Sequence, residues 1–138
     1  MIAYIDSSVL LRLILGHADR LREWKEVRTG GASALVEVEC LRTLDRMRVE
    51  ARLAPEVIAE RRTAVYEVLE SVEIIEISNP VLRRASMPLP TSLGTLDAIH
   101  LSSALLWGEV RNERPVMLTH DRALASAARA SGLRVLGV

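Results

Sequence analysis

The chain has 138 residues, of which 49% are hydrophobic and 26% are charged, a composition typical of one globular domain with a sizeable core. Its 18 basic side chains balance 18 acidic ones, so bulk positive charge is excluded as a means of holding nucleic acid. Aromatic residues make up only 3% and phenylalanine is absent, which disfavours modules that stack bases on exposed rings.

Strand and helix patterns alternate in the first half of the chain. A short apolar run precedes a polar triplet and a helical pattern, which predicts that a βα unit opens the chain. Prolines and glycines mark the helix ends that follow. In chain order we expect a strand at 2–5, a helix from 9 to a stop at Gly16, a polar helix at 17–27, a break at 29–31 before a brief segment ending at Ser33, a helix at 34–50 capped by Ser33, and a helix from Pro55 to about 71.

The alternation continues in the second half. A β-branched run with partial alternation and a second apolar run predict strands, and an apolar and an Ala-rich segment predict helices. In chain order we expect a strand at 72–77, a short helix from Asn79 to about 84, a loop around Pro88 and Pro90, an apolar helix at 95–107, a strand at 116–119, an Ala-rich helix at 121–131 closed by Gly132, and a last strand in 133–138.

Regular alternation of strands and helices indicates an α/β fold: a three-layer sandwich with a mostly parallel central sheet of about five strands and helices on both faces. No repeat or linker interrupts the pattern, so one domain is expected over residues 1–138. Cys40 is the single cysteine, and neither a basic leader nor an apolar run of about 18 residues is present. We therefore expect a cytoplasmic protein with no membrane partner.

Two of the predicted strands end in aspartate. Asp6 follows the first strand, and Asp121 follows the strand at 116–119 after one intervening residue. Because ligands of open α/β sheets bind beyond the carboxyl ends of the strands, both carboxylates are expected on the same rim. Each alone is equally well explained as a helix N-cap, a role worth about 1 kcal/mol.

A third aspartate, Asp97, lies on the apolar stripe of its predicted helix, together with Leu101 and Ala104. A buried charge without a partner is costly, which favours a functional role. Alternatively, Thr95 caps this helix and the helix dipole stabilises Asp97 in the first turn. His100, one turn further on, either partners the carboxylate or is a half-buried histidine held by a hydrogen bond.

These three residues are among only five aspartates in the chain, and each has apolar sequence neighbours. Clustered carboxylates with no cysteine or histidine companions suit a hard cation such as Mg²⁺ or Mn²⁺ and argue against zinc. Sites of this kind act on phosphates, because the cation neutralises phosphoryl oxygens and activates water. Without the cation, the carboxylates are expected to repel one another.

Four segments resemble the acidic motifs of PIN-domain nucleases, in order and across nearly the whole chain. They are YIDSSVLL at 4–11, SALVEVECLRTLDR at 33–46, LDAIHLSSAL at 96–105 and LTHDRALASAARASGL at 118–133. The match is close to the VapC-type toxins of type II toxin–antitoxin modules. The resemblance implies that the metal-binding and catalytic acids are Asp6, Glu39, Asp97 and Asp121, with Ser8 and Thr119 as supporting hydroxyls.

The same resemblance implies a function. A member of this family is expected to be an endoribonuclease that cleaves RNA with Mg²⁺- or Mn²⁺-activated water, leaving a 5′-phosphate and a 3′-hydroxyl. It is also expected to form a homodimer and to be inhibited by a cognate antitoxin protein. The alternative is a catalytically silent PIN-fold module that docks RNA or protein, although all four acids are present.

The choice between Glu37 and Glu39 depends on the resemblance. These residues lie about 200° apart around the predicted helix, so they cannot both face the site. Periodicity does not choose between them, because apolar positions surround this helix and Glu39 can pair with Arg42 one turn away. The family spacing, six residues after Ser33, selects Glu39. His120 departs from the family, which often has an aromatic residue there.

Two other acid-based folds fit less well. A phosphoacceptor receiver domain needs a lysine at the end of its last strand, whereas Lys25, the only lysine, lies in an early polar helix. A phosphatase with an aspartyl nucleophile usually has a second Asp two residues on, where Ser8 stands. With the four acids set aside, 14 acidic side chains remain against 18 basic ones, so arginines at the rim can meet RNA.

Overall fold

The computed structural model describes residues 1–138 as five strands, six α-helices and one short 3₁₀-helix. The elements in chain order are β1 Ile2–Ile5, α1 Ser7–Ile14, the 3₁₀-helix Arg22–Glu26, β2 Thr29–Ser33, α2 Leu35–Glu50, α3 Pro55–Glu70, β3 Glu73–Ile75, α4 Asn79–Ala85, α5 Thr95–Arg111, β4 Val116–Leu118, α6 Arg122–Ala130 and β5 Val135–Leu136. None of the helices combines the length and apolar character needed to span a lipid bilayer.

The strands form one sheet in the order β3-β2-β1-β4-β5, and every pairing in it is parallel. Side chains of the central strand alternate between its faces: Ala3 and Ile5 pack with α1, α2 and α3, and Tyr4 packs with α5 and α6. The predicted α/β sandwich with helices on both faces is therefore confirmed. Since β1 and β4 are parallel neighbours, their carboxyl ends lie side by side.

The polar helix expected at 17–27 is wrong, because only Arg22–Glu26 is helical there, and as a 3₁₀-helix. Leu21, Trp24 and Val27 are partly buried against the core. Their spacing of three residues matches the three-residue turn of a 3₁₀-helix, which brings all three to one side. Packing therefore selects the tighter helix in a segment whose charge pattern favoured an α-helix.

The expected break at 29–31 is also wrong, since these residues belong to β2. A Cβ added to Gly30 would lie 2.8 Å from Cδ1 of Ile5, and one added to Gly31 would lie 2.7 Å from the ring of Trp107. The two glycines therefore allow the side chains of Ile5 and Trp107 to pack directly on the strand, and they do not mark the end of a helix.

Most other boundaries agree with the expected ones to within two residues, but α5 continues four residues beyond 107, to Arg111. Asn112 ends it in the left-handed conformation at φ 53°. The helix expected from 34 begins at Leu35 with Ala34 as its N-cap residue, because Ser33 still belongs to β2. The Ser33 hydroxyl nevertheless accepts a hydrogen bond from the amide of Leu35 at 3.2 Å.

Candidate functional site

Asp6 stands where β1 passes into α1, at the carboxyl edge of the sheet. Its amide donates to the carbonyl oxygen of Leu118 in β4 at 3.0 Å, and only 4% of the residue is exposed. It occupies the N-cap position of α1, yet its side chain makes no capping hydrogen bond. The N-cap interpretation of Asp6 is therefore wrong, and its carboxylate is available for other contacts.

Hydroxyl groups hold the Asp6 carboxylate. Ser8 Oγ and Thr119 Oγ1 both donate to Oδ2, at 2.5 and 2.8 Å. Thr119 is fully buried, so this carboxylate is held in a fixed orientation by donors that water does not replace. Both hydroxyls named from the sequence thus contact the first of the four acids.

The same two hydroxyls connect Asp6 to the end of β4. Ser8 Oγ accepts from the amide of His120 at 2.9 Å, and Thr119 Oγ1 accepts from the amide of Asp121 at 2.9 Å. Asp121 itself is the N-cap of α6, and its Oδ1 accepts from the amide of Leu124 at 2.8 Å. The N-cap interpretation is therefore correct for Asp121. Its other carboxylate oxygen, Oδ2, takes no part in the capping hydrogen bond.

Glu39 reaches the rim from α2. Its Oε1 lies 2.6 Å from Nε2 of His100, and its Oε2 lies 3.3 Å from the hydroxyl of Ser7. That hydroxyl is also 3.5 Å from Oδ1 of Asp6, so the two carboxylates share a neighbour. Glu37 is exposed and lies beside the α3 residues Tyr66 and Leu69. Of the two glutamates, Glu39 is the one that the structure brings to Asp6.

Asp97 lies in the first turn of α5 and is partly exposed. Thr95 is not the cap of this helix, because the N-cap residue is Gly94 and no side chain caps it. Burial raises the pKa of the Asp97 carboxyl above its usual range, and the negative charges of Asp121 and Asp6 raise it further. Asp97 therefore shares an electrostatic environment with both strand-end acids.

His100 is fully buried beneath these acids, where the sequence predicted at most a half-buried side chain. Its Nδ1 lies 2.8 Å from the hydroxyl of Tyr4, and its Nε2 is 3.7 Å from Oδ1 of Asp6. Burial alone lowers the pKa of His100, but the hydrogen bond to Glu39 and the charge of Asp6 outweigh it, so the pKa is raised. The imidazole thus joins two acids at once.

Two contact residues were missed from the sequence. Ser7 is adjacent to Asp6, but a serine beside a helix start is usually assigned to capping. Tyr4 alternates with Ala3 and Ile5 and so faces the side of the sheet that α5 covers, which was the available signal for a contact with that helix. Burial raises the pKa of Tyr4 far above its usual range, so it remains a phenol.

The adjacent thiol is not a nucleophile candidate. Cys40 is buried next to Glu39, and burial together with the charge of that carboxylate raises its pKa to about 12. Because the thiolate is the reactive form, Cys40 remains an inert thiol at neutral pH. The chemistry of the rim therefore belongs to the oxygen ligands.

The donor set fits a hard divalent cation in kind: four carboxylates with hydroxyl support and no thiolate. Burial is the main reason that the pKa of Asp97 is raised, and the negative charges of Asp121 and Asp6, which a cation would offset, add to it. As placed, no three of the acidic, histidine or cysteine side chains are grouped closely enough to hold one ion. The acids are thus of the kind that such a cation prefers, although their side chains do not form one compact group.

Comparison with known sequences identifies relatives along nearly the full chain. A family model described as PIN domain matches residues 3–135. Ribonuclease VapC47 of Mycobacterium tuberculosis (strain CDC 1551 / Oshkosh) is 32% identical over 132 residues, which cover 94% of this chain and 91% of that protein. Ribonuclease VapC35 of the same strain is 33% identical over 139 residues, which cover 96% and 94%.

Solved structures share the fold at lower sequence identity. A chain of a toxin–antitoxin complex from Klebsiella pneumoniae superposes with a TM-score of 0.67 at 15% identity, covering 97% of this chain and 95% of that one. The crystal structure of PAE2754 from Pyrobaculum aerophilum gives a TM-score of 0.61 at 23% identity, covering 97% and 89%. These two structures have the same architecture from end to end.

Proposed function

The chain belongs to the PIN domain family, and from this premise we propose that it is a metal-dependent endoribonuclease acting on RNA in the cytoplasm as the toxin of a toxin–antitoxin pair. One observation carries the proposal. Hydroxyl groups connect acids at the carboxyl edge of the sheet: Thr119 Oγ1 links Asp6 to the backbone of Asp121, and Ser7 Oγ lies near both Asp6 and Glu39. Burial and the charges of Asp121 and Asp6 raise the pKa of Asp97, which supports its placement near them. The names of the relatives, which are ribonucleases, supply the substrate class.

Asp6, Glu39, Asp97 and Asp121 would hold Mg²⁺ or Mn²⁺. A bound cation of this kind supplies charge neutralisation at the phosphoryl oxygens and a lowered pKa of the attacking water. Ser8 and Thr119 keep Asp6 in place by donating to its Oδ2. The amide of Leu124 does the same for Asp121 by donating to Oδ1. The hydrogen bonds of the protein thus orient the ligands at one carboxylate oxygen and leave the other for the cation.

RNA is attracted to such a site only when the acids are neutralised. Apart from the four acids, 14 acidic side chains face 18 basic ones, and 17 of the basic residues are arginines. Arginine binds phosphate oxygens in a bidentate manner. Arg122, which directly follows Asp121 and begins α6, is exposed and placed to contact a phosphate near the acids. The cation and the arginines would therefore bind the RNA backbone together.

Two partners belong to the same proposal. The Klebsiella pneumoniae protein of the same fold is part of a toxin–antitoxin complex, and we propose a cognate antitoxin for this chain too. We also propose that the chain forms a homodimer, as the family resemblance implies. A silent docking module is less well supported, because nothing in such a role requires four acids on one rim.

The function is tested by metal removal and by a matched pair of glutamate variants. The purified protein should cleave structured RNA with 5 to 10 mM Mg²⁺ or Mn²⁺, at roughly the level that weakly held divalent ions require, and stop in EDTA. Glu39→Gln should abolish cleavage, because it removes the charge near Asp6. Glu37→Gln, on the exposed face of the same helix, should retain the activity of the parent.

Gel analysis of end-labelled RNA, with a mock preparation from an empty vector, measures these outcomes. Full cleavage in EDTA by protein free of contaminating nuclease would contradict the metal-dependent mechanism. Loss of cleavage in Glu37→Gln with retention in Glu39→Gln would show that the wrong glutamate has been assigned.

A further inference from the structure

We propose that His100, held in turn by Tyr4, is a positioning residue that fixes the Glu39 carboxylate for cation binding. The inference rests on the proposed function and deepens it, because it assigns a role to two buried side chains beneath the acids. Neither side chain reaches the surface: both are fully buried. Their effect on a cation therefore passes through the acids that His100 contacts, of which Glu39 is the nearer at 2.6 Å and Asp6 lies at 3.7 Å.

A chain of two short hydrogen bonds carries the inference. Tyr4 Oη and His100 Nδ1 are 2.8 Å apart, and His100 Nε2 and Glu39 Oε1 are 2.6 Å apart. Hydrogen bonds inside a protein are strengthened by the low local dielectric and by polarising one another in series. The 2.6 Å separation is short even for a bond between a ring N–H and an ionised carboxylate. Glu39 is thus held more firmly at Oε1 than by its 3.3 Å contact at Oε2.

The direction of the bonds follows from donor and acceptor capacity. An ionised Glu39 carboxylate only accepts, so Nε2 of His100 carries the proton of that bond. The other ring nitrogen, Nδ1, lies at hydrogen-bond distance from the buried Tyr4 hydroxyl, which can accept from a protonated Nδ1 or donate to an unprotonated one. In both cases the phenol fixes the ring orientation in which Nε2 faces Glu39, in the way that outer partners fix the orientation of metal-binding groups.

The chain of hydrogen bonds spans the three elements that carry three of the acids. Tyr4 is in β1, two residues before Asp6, and His100 is in α5, three residues after Asp97. Glu39 is in α2, on the other face of the sheet from α5. The two hydrogen bonds thus connect three segments of the chain, each of which carries one of the acids. A histidine bonded only to a backbone group of its own segment would make no such connection.

The experiment is calorimetric titration of Mn²⁺ into the metal-free full-length protein. His100→Gln, which retains one amide donor, should weaken Mn²⁺ binding about 10-fold, and His100→Leu, which retains none, about 100-fold. Tyr4→Phe should weaken it by a smaller factor, because His100 remains but loses the partner that fixes the orientation of its ring. Ser102→Ala is the matched control, since Ser102 is a fully buried hydroxyl on the same helix without a hydrogen-bond partner.

Two further readouts separate positioning from structural support. At saturating Mn²⁺, the variants should lower kcat for RNA with little change in KM, because the RNA-binding surface is intact. In nitrogen-15 spectra of His100, Tyr4→Phe should change the signal of Nδ1, which loses its partner, more than that of Nε2, which still faces Glu39. Circular dichroism and thermal melts identify any variant that is unfolded. If His100→Leu is unfolded, the milder variants Tyr4→Phe and His100→Gln test the proposal.

The outcomes distinguish the inference from the function on which it rests. A parent that binds Mn²⁺ while folded His100→Gln and Tyr4→Phe bind it equally tightly would overturn the positioning role and leave the nuclease proposal standing. A parent that neither binds Mn²⁺ nor cleaves RNA would overturn both. Equal weakening in Ser102→Ala would also overturn the inference, because any change in the core of α5 would then have the same effect.

Discussion

The β1–α1 junction (Asp6–Ser8) and the β4–α6 junction (Thr119–Asp121) have the same plan but use their aspartates differently. In each, a buried parallel strand ends, an aspartate occupies the N-cap position, and a helix follows. At Asp121 the carboxylate caps its helix through the amide of Leu124. At Asp6 the carboxylate makes no capping bond and is held by hydroxyls from both junctions.

The difference shows how the same local sequence signal supports two roles. A capping carboxylate satisfies a free helix amide, which stabilises the fold whether or not the residue is functional. A carboxylate that is 4% exposed and makes no cap contributes nothing of that kind to its own helix. The non-capping junction is therefore the more specific indicator of function, whereas Asp121 would have to combine capping with the proposed role in cation binding.

The largest expected effect is at the non-capping junction. Asp6→Asn should reduce Mn²⁺-dependent RNA cleavage by at least about 100-fold, since a direct ligand should matter no less than the outer partners, whose loss costs 10–100-fold. Asp19→Asn is the control, because Asp19 is exposed and pairs with Arg12 away from the strand ends. Single-turnover cleavage measures both, and an Asp6→Asn protein with near-parental activity would remove the distinction between the junctions.

An intermediate effect is expected at Asp97, which responds to the charges of both junctions. Its pKa is raised, so the ionised form is disfavoured on balance in the folded protein. Asp97→Asn should therefore raise the Tm of the metal-free protein at pH 7, by an amount that solvent screening keeps small because Asp97 is partly exposed, while weakening Mn²⁺ binding and abolishing cleavage. Thermal melts in EDTA and Mn²⁺ titration of both proteins measure this.

The pH dependence gives the same prediction a second test. Between the ordinary pKa of 3.8 and the raised value, folded Asp97 keeps a proton that the unfolded chain has released. The stability of the parent therefore falls as pH rises through this window, and the difference from Asp97→Asn should vanish below it. If favourable interaction with the helix dipole dominated instead, the free energy of unfolding of the variant at pH 7 would be lower than that of the parent, by about 0.3–1 kcal/mol.

Much of the fold was predictable, because alternating strands and helices leave few topologies. The failures have tertiary causes. From the sequence, residues 29–31 suggest the end of a helix. In the structure they belong to β2, and its two glycines leave space for the side chains of Ile5 and Trp107. The 3₁₀-helix depends on the packing of Leu21, Trp24 and Val27 on the core, which the charges of 17–27 do not reveal.

The candidate site was predictable in part for a comparable reason. The strand-end rule identifies Asp6 and Asp121 without any family information. Apolar positions surround α2, so periodicity could not choose Glu39, and the motif spacing from Ser33 was needed. The contacts of His100 with Tyr4 and Glu39 join residues 96 and 61 positions apart, and no local pattern encodes such pairs.

The smallest expected effect isolates the cap that distinguishes the two junctions. Asp121→Ala and Asp121→Asn remove the same negative charge, but asparagine caps a helix about as well as aspartate and alanine does not. Asp121→Ala should therefore be less stable than Asp121→Asn by about 1 kcal/mol, roughly 3–5 °C in Tm for a domain of this size. Both should lose cleavage, because both lack the charge.

The corresponding pair at the other junction predicts a different pattern. Asp6→Ala and Asp6→Asn should not differ through capping, since Asp6 makes no capping bond. Any difference in stability between them arises from the hydroxyls of Ser8 and Thr119. These hydroxyls face the side-chain amide in Asp6→Asn and have no side-chain partner in Asp6→Ala. Helix-specific hydrogen exchange separates these causes, because loss of a cap exposes the first turn of the helix that follows. If the two aspartates differ as the structure indicates, Asp121→Ala should speed hydrogen exchange at the start of α6, and Asp6→Ala should not do so at the start of α1. An equal increase at both helix starts would contradict this difference.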